Sequence, residues 1–182
     1  MLRLAYIELV VCWVAWFLPF VLHGPAGLKR KAAVTDRRSL WGLGLEAAGL
    51  FVAWFRTREG AGMERMVVSM ALAPLGTALA WWAVAHLGKQ LRIQAGLYDD
   101  HELVRSGPYG WVRHPIYLAL FVMLLATTLL NGGWVKVAVS VVLFLAGTEI
   151  RVRMEDRLLA SRFGTPFEEY RRRVPAYLPG VR

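Results

Sequence analysis

The sequence predicts an all-α integral membrane protein with about five transmembrane helices, a tight helical hairpin formed by the fourth and fifth, and a cytoplasmic helical tail. Three observations lead there. Hydrophobic residues make up 57% of the 182 residues and charged residues only 19%, against roughly 45–50% and about 25% in ordinary soluble domains. Mean hydropathy is +0.41 although 22 Lys and Arg outnumber 13 Asp and Glu, for a net charge of +9. Apolar stretches close to the roughly 20 residues of a bilayer crossing recur along the chain. A disordered basic tail lacks such apolar content, and a soluble nucleic-acid binder of this charge does not carry so many Leu, Val, Ala and Trp residues. The length suits one membrane domain, 1–182.

The first expected span, Leu4 to Leu22, is broken only by Glu8 and Pro19. It reads as a retained helix rather than a cleaved signal: its n-region holds only Arg3, its apolar run is long and no A-x-A-like site follows. The second, Leu40 to Phe55, is short and contains Glu46; the third, Met66 to Leu87, contains Pro74 and the pair Trp81 and Trp82. Pro115 to Leu130 and Trp134 to Ile150 follow, separated by Asn131, Gly132 and Gly133, the turn chemistry of a helical hairpin. Residues 1–88 thus supply three spans, and 89–182 the hairpin and tail. A single cysteine, Cys12, excludes an internal disulfide.

Lys and Arg collect on the cytoplasmic side of membrane proteins. With five spans, one face gathers Lys29, Arg30, Lys31, Arg37 and Arg38, then Lys89, Arg92, Arg105 and Arg113, then every cation from Arg151 to Arg182. Only Arg3, Arg56, Arg58, Arg65 and Lys136 fall on the other. The asymmetry predicts an N-terminus outside and a C-terminus in the cytoplasm.

The residues best suited to chemistry lie on that cationic face, in Tyr98 to Tyr117 and in Glu149 to Pro179. Only the hairpin separates the two strings, so its two ends are expected side by side with a pocket between them. Pro115 suits the first turn of a helix, which sets Arg113 and His114 at a helix N-terminus that favours anions. On spacing alone these two read equally well as interfacial anchors that snorkel to lipid phosphates. Glu155 and Asp156, on a continuation of the fifth helix, suit a ligand ammonium, ribose hydroxyls or a sulfonium; they also suit a salt-bridge face with Arg151, Arg153 and Arg157. Glu46 is a functional-site candidate as an intramembrane carboxylate, with pairing to a neighbouring helix the expected role. His86 is expected as an interfacial histidine near the pocket. No metal is expected, because His23, His86, His101 and His114 form no ligand spacing.

The run His101-Glu102-Leu103-Val104-Arg105-Ser106-Gly107-Pro108-Tyr109, followed by Val112-Arg113-His114-Pro115-Ile116-Tyr117, resembles the signature of the isoprenylcysteine carboxyl methyltransferase and phospholipid methyltransferase superfamily. Glu155-Asp156-Arg157-Leu158-Leu159 resembles its paired-acid motif, and Phe163-Gly164 to Tyr170 with Val174-Pro175 to Pro179 its closing segment. The resemblance covers His101 to Pro179. The chain departs from the pattern at Ala119, where Gly is frequent, at Asp156, where Glu is usual, and at Phe167, where Tyr is common.

The resemblance implies an integral membrane methyltransferase that uses S-adenosylmethionine. It implies a cofactor pocket lined by His101, Leu103, Val104, Gly107, Tyr109, Arg113, His114, Pro115 and Tyr117 and closed by Glu155 and Asp156, with Arg113, His114 and Tyr117 as catalytic residues. The acidic pair fits the cofactor's ammonium, Arg113 its carboxylate, and the faces of Tyr109 or Tyr117 its sulfonium. The expected acceptor is a lipophilic membrane molecule, most like a prenylcysteine carboxylate, which needs no general base. The alternative is a phosphatidylethanolamine-like amine, which would need one, His101 or His114. Two other classes are an NADPH-dependent enzyme like the sterol reductases, which are much longer, and a non-catalytic lipid-binding scaffold. No nucleic-acid partner is expected.

Overall fold

The computed structural model describes residues 1–28, 34–35, 38–57, 61–91, 96–97 and 100–177. Lys29, Arg30, Lys31, Arg37, Arg58, Arg92 and Arg182 of the charge pattern, Tyr98 of the first string and Pro179 of the closing segment lie outside the described residues. Six α-helices are described: α1 Leu2–Leu28, α2 Ser39–Trp54, α3 Met63–Leu87, α4 Pro115–Asn131, α5 Trp134–Phe163 and α6 Thr165–Arg173. Each expected span therefore coincides with a helix. Among the described residues, two stretches are long and apolar enough to cross a membrane, Leu2–His23 within α1 and Met63–Gln90, which is α3 with the short turn after it. The 16 residues of α2 give about 24 Å of helix, less than a bilayer core of about 30 Å.

The all-α expectation holds, with one short extended element beside the helices. Val34 and Thr35 pair antiparallel with Leu97 and Gly96, a two-residue ladder (β1 and β2) that ties the α1–α2 connection to the segment after α3. Two residues are too few for strand alternation to register in a sequence.

Burial is arranged as in a bilayer rather than in water. Trp41 is 78% exposed and Val135 81%, with Leu75, Val67 and Val142 also pointing outward. On α2 and α3 the buried face is mostly small or polar, with Ser69, Ala73, Gly76, Ala80 and Ala83 on α3 and Gly42, Glu46, Gly49 and Ala53 on α2, against larger apolar side chains such as Leu9, Met123 and Phe144 from the other helices. Lipid tails give apolar side chains no reason to turn inward, so close backbone packing and interhelical hydrogen bonds hold such bundles. α2 lies along α5, α3 along α4, and α1 along α3. A Cβ on Gly147 would sit 2.5 Å from the Gly42 carbonyl oxygen, and one on Gly42 2.6 Å from that of Gly147. The α2 and α5 backbones therefore touch. Across the other pair, the Ser69 hydroxyl donates to the Ala126 carbonyl at 2.7 Å.

The connection of α4 to α5 through Gly132 and Gly133 is the expected turn. One end of the bundle is closed by polar contacts. Tyr6 donates to Asn131 at 2.7 Å, the Thr57 amide donates to the Asn131 carbonyl at 2.8 Å, Arg65 reaches the Gly132 carbonyl and Lys136 the Phe55 carbonyl. At the opposite end α5 continues four turns beyond Glu149, as expected, and carries Glu155 and Asp156 under the start of α4.

Glu46 is 1% exposed, paired with Arg151 at 2.8 Å and accepting from the Thr148 hydroxyl at 3.0 Å. It therefore has the interhelical pairing expected of it. Removing one partner of a buried pair leaves an uncompensated charge, at a cost of about 3–5 kcal/mol, whereas replacing both with apolar residues of similar volume is often neutral. Arg151→Met alone should lower the thermal unfolding temperature of the protein in detergent markedly, and Arg151→Met with Glu46→Leu should recover most of the loss. Equal destabilisation of the two variants would show that the pair does not act as a unit.

Candidate active site

Pro115 begins α4, and the backbone of His114 before it (φ −126°, ψ 65°) keeps out of the helical region, as a residue preceding proline must. That bend turns the His114 side chain down onto α5. Both ring nitrogens meet carboxylates there: Nδ1 lies 3.2 Å from Glu155 and Nε2 2.9 Å from Asp156. Only an imidazolium offers two N–H donors. Burial alone would depress the His114 pKa, but the hydrogen bonds and charges of Asp156 and Glu155 outweigh it and raise the value to about 9. Burial likewise pushes the two carboxyls up, and His114 overrides it: with Arg151 and Tyr117 for Glu155, and Arg113 for Asp156, it holds both below the usual carboxylate range.

The two acids then do different things. Asp156 takes the Arg113 guanidinium at 2.7 Å as well as His114, and does not line the cavity. Glu155 lines it, accepting from the Tyr117 hydroxyl. Arg113 is largely occupied: besides Asp156 it donates to the carbonyls of Val174 and Arg171, while its backbone amide and that of His114 donate to Pro175 and Ala176, both at 2.8 Å. Its Nε is buried with no hydrogen-bond partner. The tail is thus stitched along residues 113 and 114. Gly164 (φ +57°) ends α5 and turns the chain into α6, whose Tyr170 donates to the Tyr109 carbonyl at 2.6 Å.

A cavity of about 410 Å³ opens between these parts. His101, Leu103, Val104, Tyr109, Arg113, His114, Pro115, Tyr117 and Glu155 all line it, so the two strings converge as expected. Asp156 and Gly107 do not. Gly107 adopts φ +58°, and a Cβ there would lie 2.4 Å from the His86 ring, so the turn admits only glycine. His86 is correspondingly outside the cavity, its Nδ1 2.9 Å from the Trp82 carbonyl oxygen.

Sequence reasoning missed half of the wall. Trp16, Phe17 and Phe20 of α1 and Leu43, Glu46 and Leu50 of α2 line an apolar arm, and Gln90 with Leu87 and Leu91 lines the region after α3. The cavity therefore draws on residues 1–88 as well as on 89–182. Arg151, read as part of a surface charge face, is a buried wall residue with its guanidinium carbon 4.9 Å above the centre of the Tyr117 ring. Its helical spacing from Glu155, i to i+4, was the available signal. Three cations, Arg113, His114 and Arg151, face three carboxylates, Glu46, Glu155 and Asp156, so the network is neutral.

The sequence profile of the Isoprenylcysteine carboxyl methyltransferase (ICMT) family matches residues 68–161, just over half of the chain. The chain belongs to the isoprenylcysteine carboxyl methyltransferase family. Protein-S-isoprenylcysteine O-methyltransferase of Schizosaccharomyces pombe is 36% identical over 80 residues, 44% of this chain and 34% of that protein. The nickel-cobalt-cadmium resistance protein NccN of Alcaligenes xylosoxydans xylosoxydans is 32% identical over 143 residues, 69% of this chain and 67% of that one. The structure of the eukaryotic intramembrane Ras methyltransferase ICMT superposes with a TM-score of 0.52 over 97% of this chain and 52% of its own, at 21% identity. The chain thus shares the family's helical fold while spanning about a third to two thirds of these relatives. Family members form an integral membrane class, which agrees with the outward-facing apolar surface of this bundle.

The imidazolium fixes a pH dependence. The folded pKa of His114 lies above its ordinary 6.5, so its ion pairs stabilise fully below about pH 6.5 and are lost as pH rises through about 9. Glu155 and Asp156, held low, contribute above the ordinary carboxylate range and lose that contribution as pH falls through their lowered values. Thermal unfolding scans should show a temperature that declines from about pH 7 to 9.5, and His114→Asn should start lower and lose that slope. An unchanged slope in the variant would remove His114 as its source.

Proposed function

We propose that this protein transfers a methyl group from S-adenosylmethionine to a lipophilic carboxylate, with chemistry of the prenylcysteine type. The observation that carries the acceptor assignment is the engagement of both His114 ring nitrogens by carboxylates, at 3.2 Å from Glu155 and 2.9 Å from Asp156. An amine acceptor must first lose a proton, and His114, with both ring nitrogens on carboxylates, is not free to take it, which leaves such an acceptor dependent on His101, the other histidine of the wall. A carboxylate is nucleophilic as it stands. Charge balance agrees: a neutral network around a cationic cofactor favours an anionic partner over a second cation.

The cavity residues fit the cofactor. Glu155, the wall carboxylate, suits an ammonium; the orphaned Nε of Arg113 is a buried donor suited to a carboxylate. His101, Leu103, Val104, Tyr109, Pro115 and Tyr117 complete that wall. Bound there, S-adenosylmethionine would supply a methyl group on a positively charged sulfur whose departure leaves a neutral thioether. The remaining work is done by the chain. Arg151 is the wall cation with no place in the Arg113–His114 cluster, and it would orient the acceptor carboxylate. Tyr117 is held between Arg151 and Glu155 and fixes both. Arg113 and Asp156 act by locking His114. The apolar arm between α1 and α2 would take the acceptor's hydrocarbon part, and near-attack alignment in such a water-poor cavity can supply about 7–11 kcal/mol.

The same reading sets the bundle as five spans with the N-terminus outside and the site at the cytoplasmic surface, following the cation distribution.

Calorimetry on the full chain in detergent should show binding of S-adenosylhomocysteine, weakened about tenfold or more by Glu155→Gln; binding of NADPH instead would reverse the reading. With methyl-labelled cofactor, a farnesylcysteine analogue should be labelled and phosphatidylethanolamine should not. Arg151→Met combined with Glu46→Gln, which leaves no unpaired charge, should keep S-adenosylhomocysteine affinity while losing turnover of the carboxylate. Preferential labelling of the amine lipid would overturn the acceptor assignment.

A further inference from the structure

Gln90 closes the short turn Gly88–Gln90 that follows α3 and packs against α1. It belongs to no motif read in the sequence. The residue is only 4% exposed and lines the cavity, yet neither its Oε1 nor its Nε2 has a hydrogen-bond partner among the described residues. A buried carboxamide without partners is costly, and native proteins rarely tolerate one unless something else completes it. Its neighbours Leu87 and Leu91 line the same wall and have no polar side-chain atoms to offer.

The unmet demand is specific. A carboxamide presents one donor and one acceptor side by side, and it is satisfied by a group that presents an acceptor and a donor on one planar edge. The methionine end of S-adenosylmethionine offers an ammonium that only donates and a carboxylate that only accepts. A prenylcysteine-type acceptor has an N–H and a carboxylate, but on separate groups joined by a tetrahedral carbon rather than on one planar edge. Adenine carries its amino group beside a ring nitrogen on either of two edges, which is the pairing glutamine makes with adenine in nucleic-acid recognition. The flanking leucines suit the flat faces of a heterocycle better than a hydrated sugar.

We propose that Gln90 is a specificity residue that reads the amino edge of the cofactor's adenine. The proposal rests on the cofactor assigned above. It gives the short turn after α3, ahead of the motifs, a direct part in cofactor recognition, whereas the motifs from His101 onward supply the charged end.

The test compares binding of S-adenosylhomocysteine with binding of its analogue that has purine in place of adenine and so lacks only the amino group. Calorimetry on the full chain in detergent reads both. The wild-type chain should prefer the adenine compound by about tenfold or more. Gln90→Leu should bind the adenine compound about tenfold more weakly and lose the preference. Gln90→Glu keeps the shape and an acceptor for the amino group, so it should retain part of the preference; this holds the test open if the leucine variant does not fold. A wild-type chain that binds both compounds equally, or a Gln90→Leu variant that keeps both affinity and preference, overturns the proposal and leaves the methyltransferase reading standing; the carboxamide would then face the ribose or the acceptor. A wild-type chain that binds neither compound overturns both.

Discussion

The doubly paired imidazolium of His114 is the interaction on which the site depends. It joins three parts distant in sequence: the bend before α4, the lower turns of α5 and, through Asp156 and Arg113, the tail after α6. Each ion alone would be costly to bury. Together they leave no net charge and few unmet hydrogen bonds, the condition under which a buried network rigidifies rather than destabilises. A neutral histidine could satisfy only one of the two acids as a donor, so the arrangement specifies the proton along with the fold.

Helix packing above the site explains why this network can be placed with precision. The α2 and α5 backbones are in contact at Gly42 and Gly147, and within about one turn along the same seam lie Glu46, Thr148 and Arg151. The contact that brings the helices together also decides where the Arg151 guanidinium can reach. Polar residues within the bundle are thus used twice, once to hold helices that apolar contact alone would not hold in lipid, and once to aim side chains into the cavity.

The helices were legible because a bilayer demands long apolar runs, and each span from Leu4 to Ile150 coincides with a helix. So was the meeting of Arg113, His114 and Tyr117 with Glu155 and Asp156, through motif order and a spacer of one hairpin. The division of labour inside that cluster was not. Adjacent acids look alike in a sequence, but successive helical residues point about 100° apart, so Glu155 faces the cavity and Asp156 the tail. Gly107 reads as a lining residue by motif and proves to be one required by its φ and by the His86 ring. Gln90, Trp16 and Leu43 were invisible because helix packing brings them to the cavity, and no local pattern encodes which face of α1 or α2 meets α4. The ladder at Val34 and Leu97 was hidden by its length.

The backbone contact between α2 and α5 also bears on motion. Two helices whose backbones meet at Gly42 and Gly147, with the Glu46–Arg151 pair bridging them one turn on, resist rotation and sliding, so that wall of the cavity moves as one body. α1 has a different attachment: it packs along α3, and it faces the cavity with aromatic rings, Trp16 meeting Phe17 edge-on and Phe20 at a tilt, rather than locked into a backbone groove. Ring side chains can change rotamer while the helices stay where they are. On the proposed function, the breathing that would admit and release a bulky lipid falls to the aromatic lining of α1, against the Glu46–Arg151 wall carried by α2 and α5.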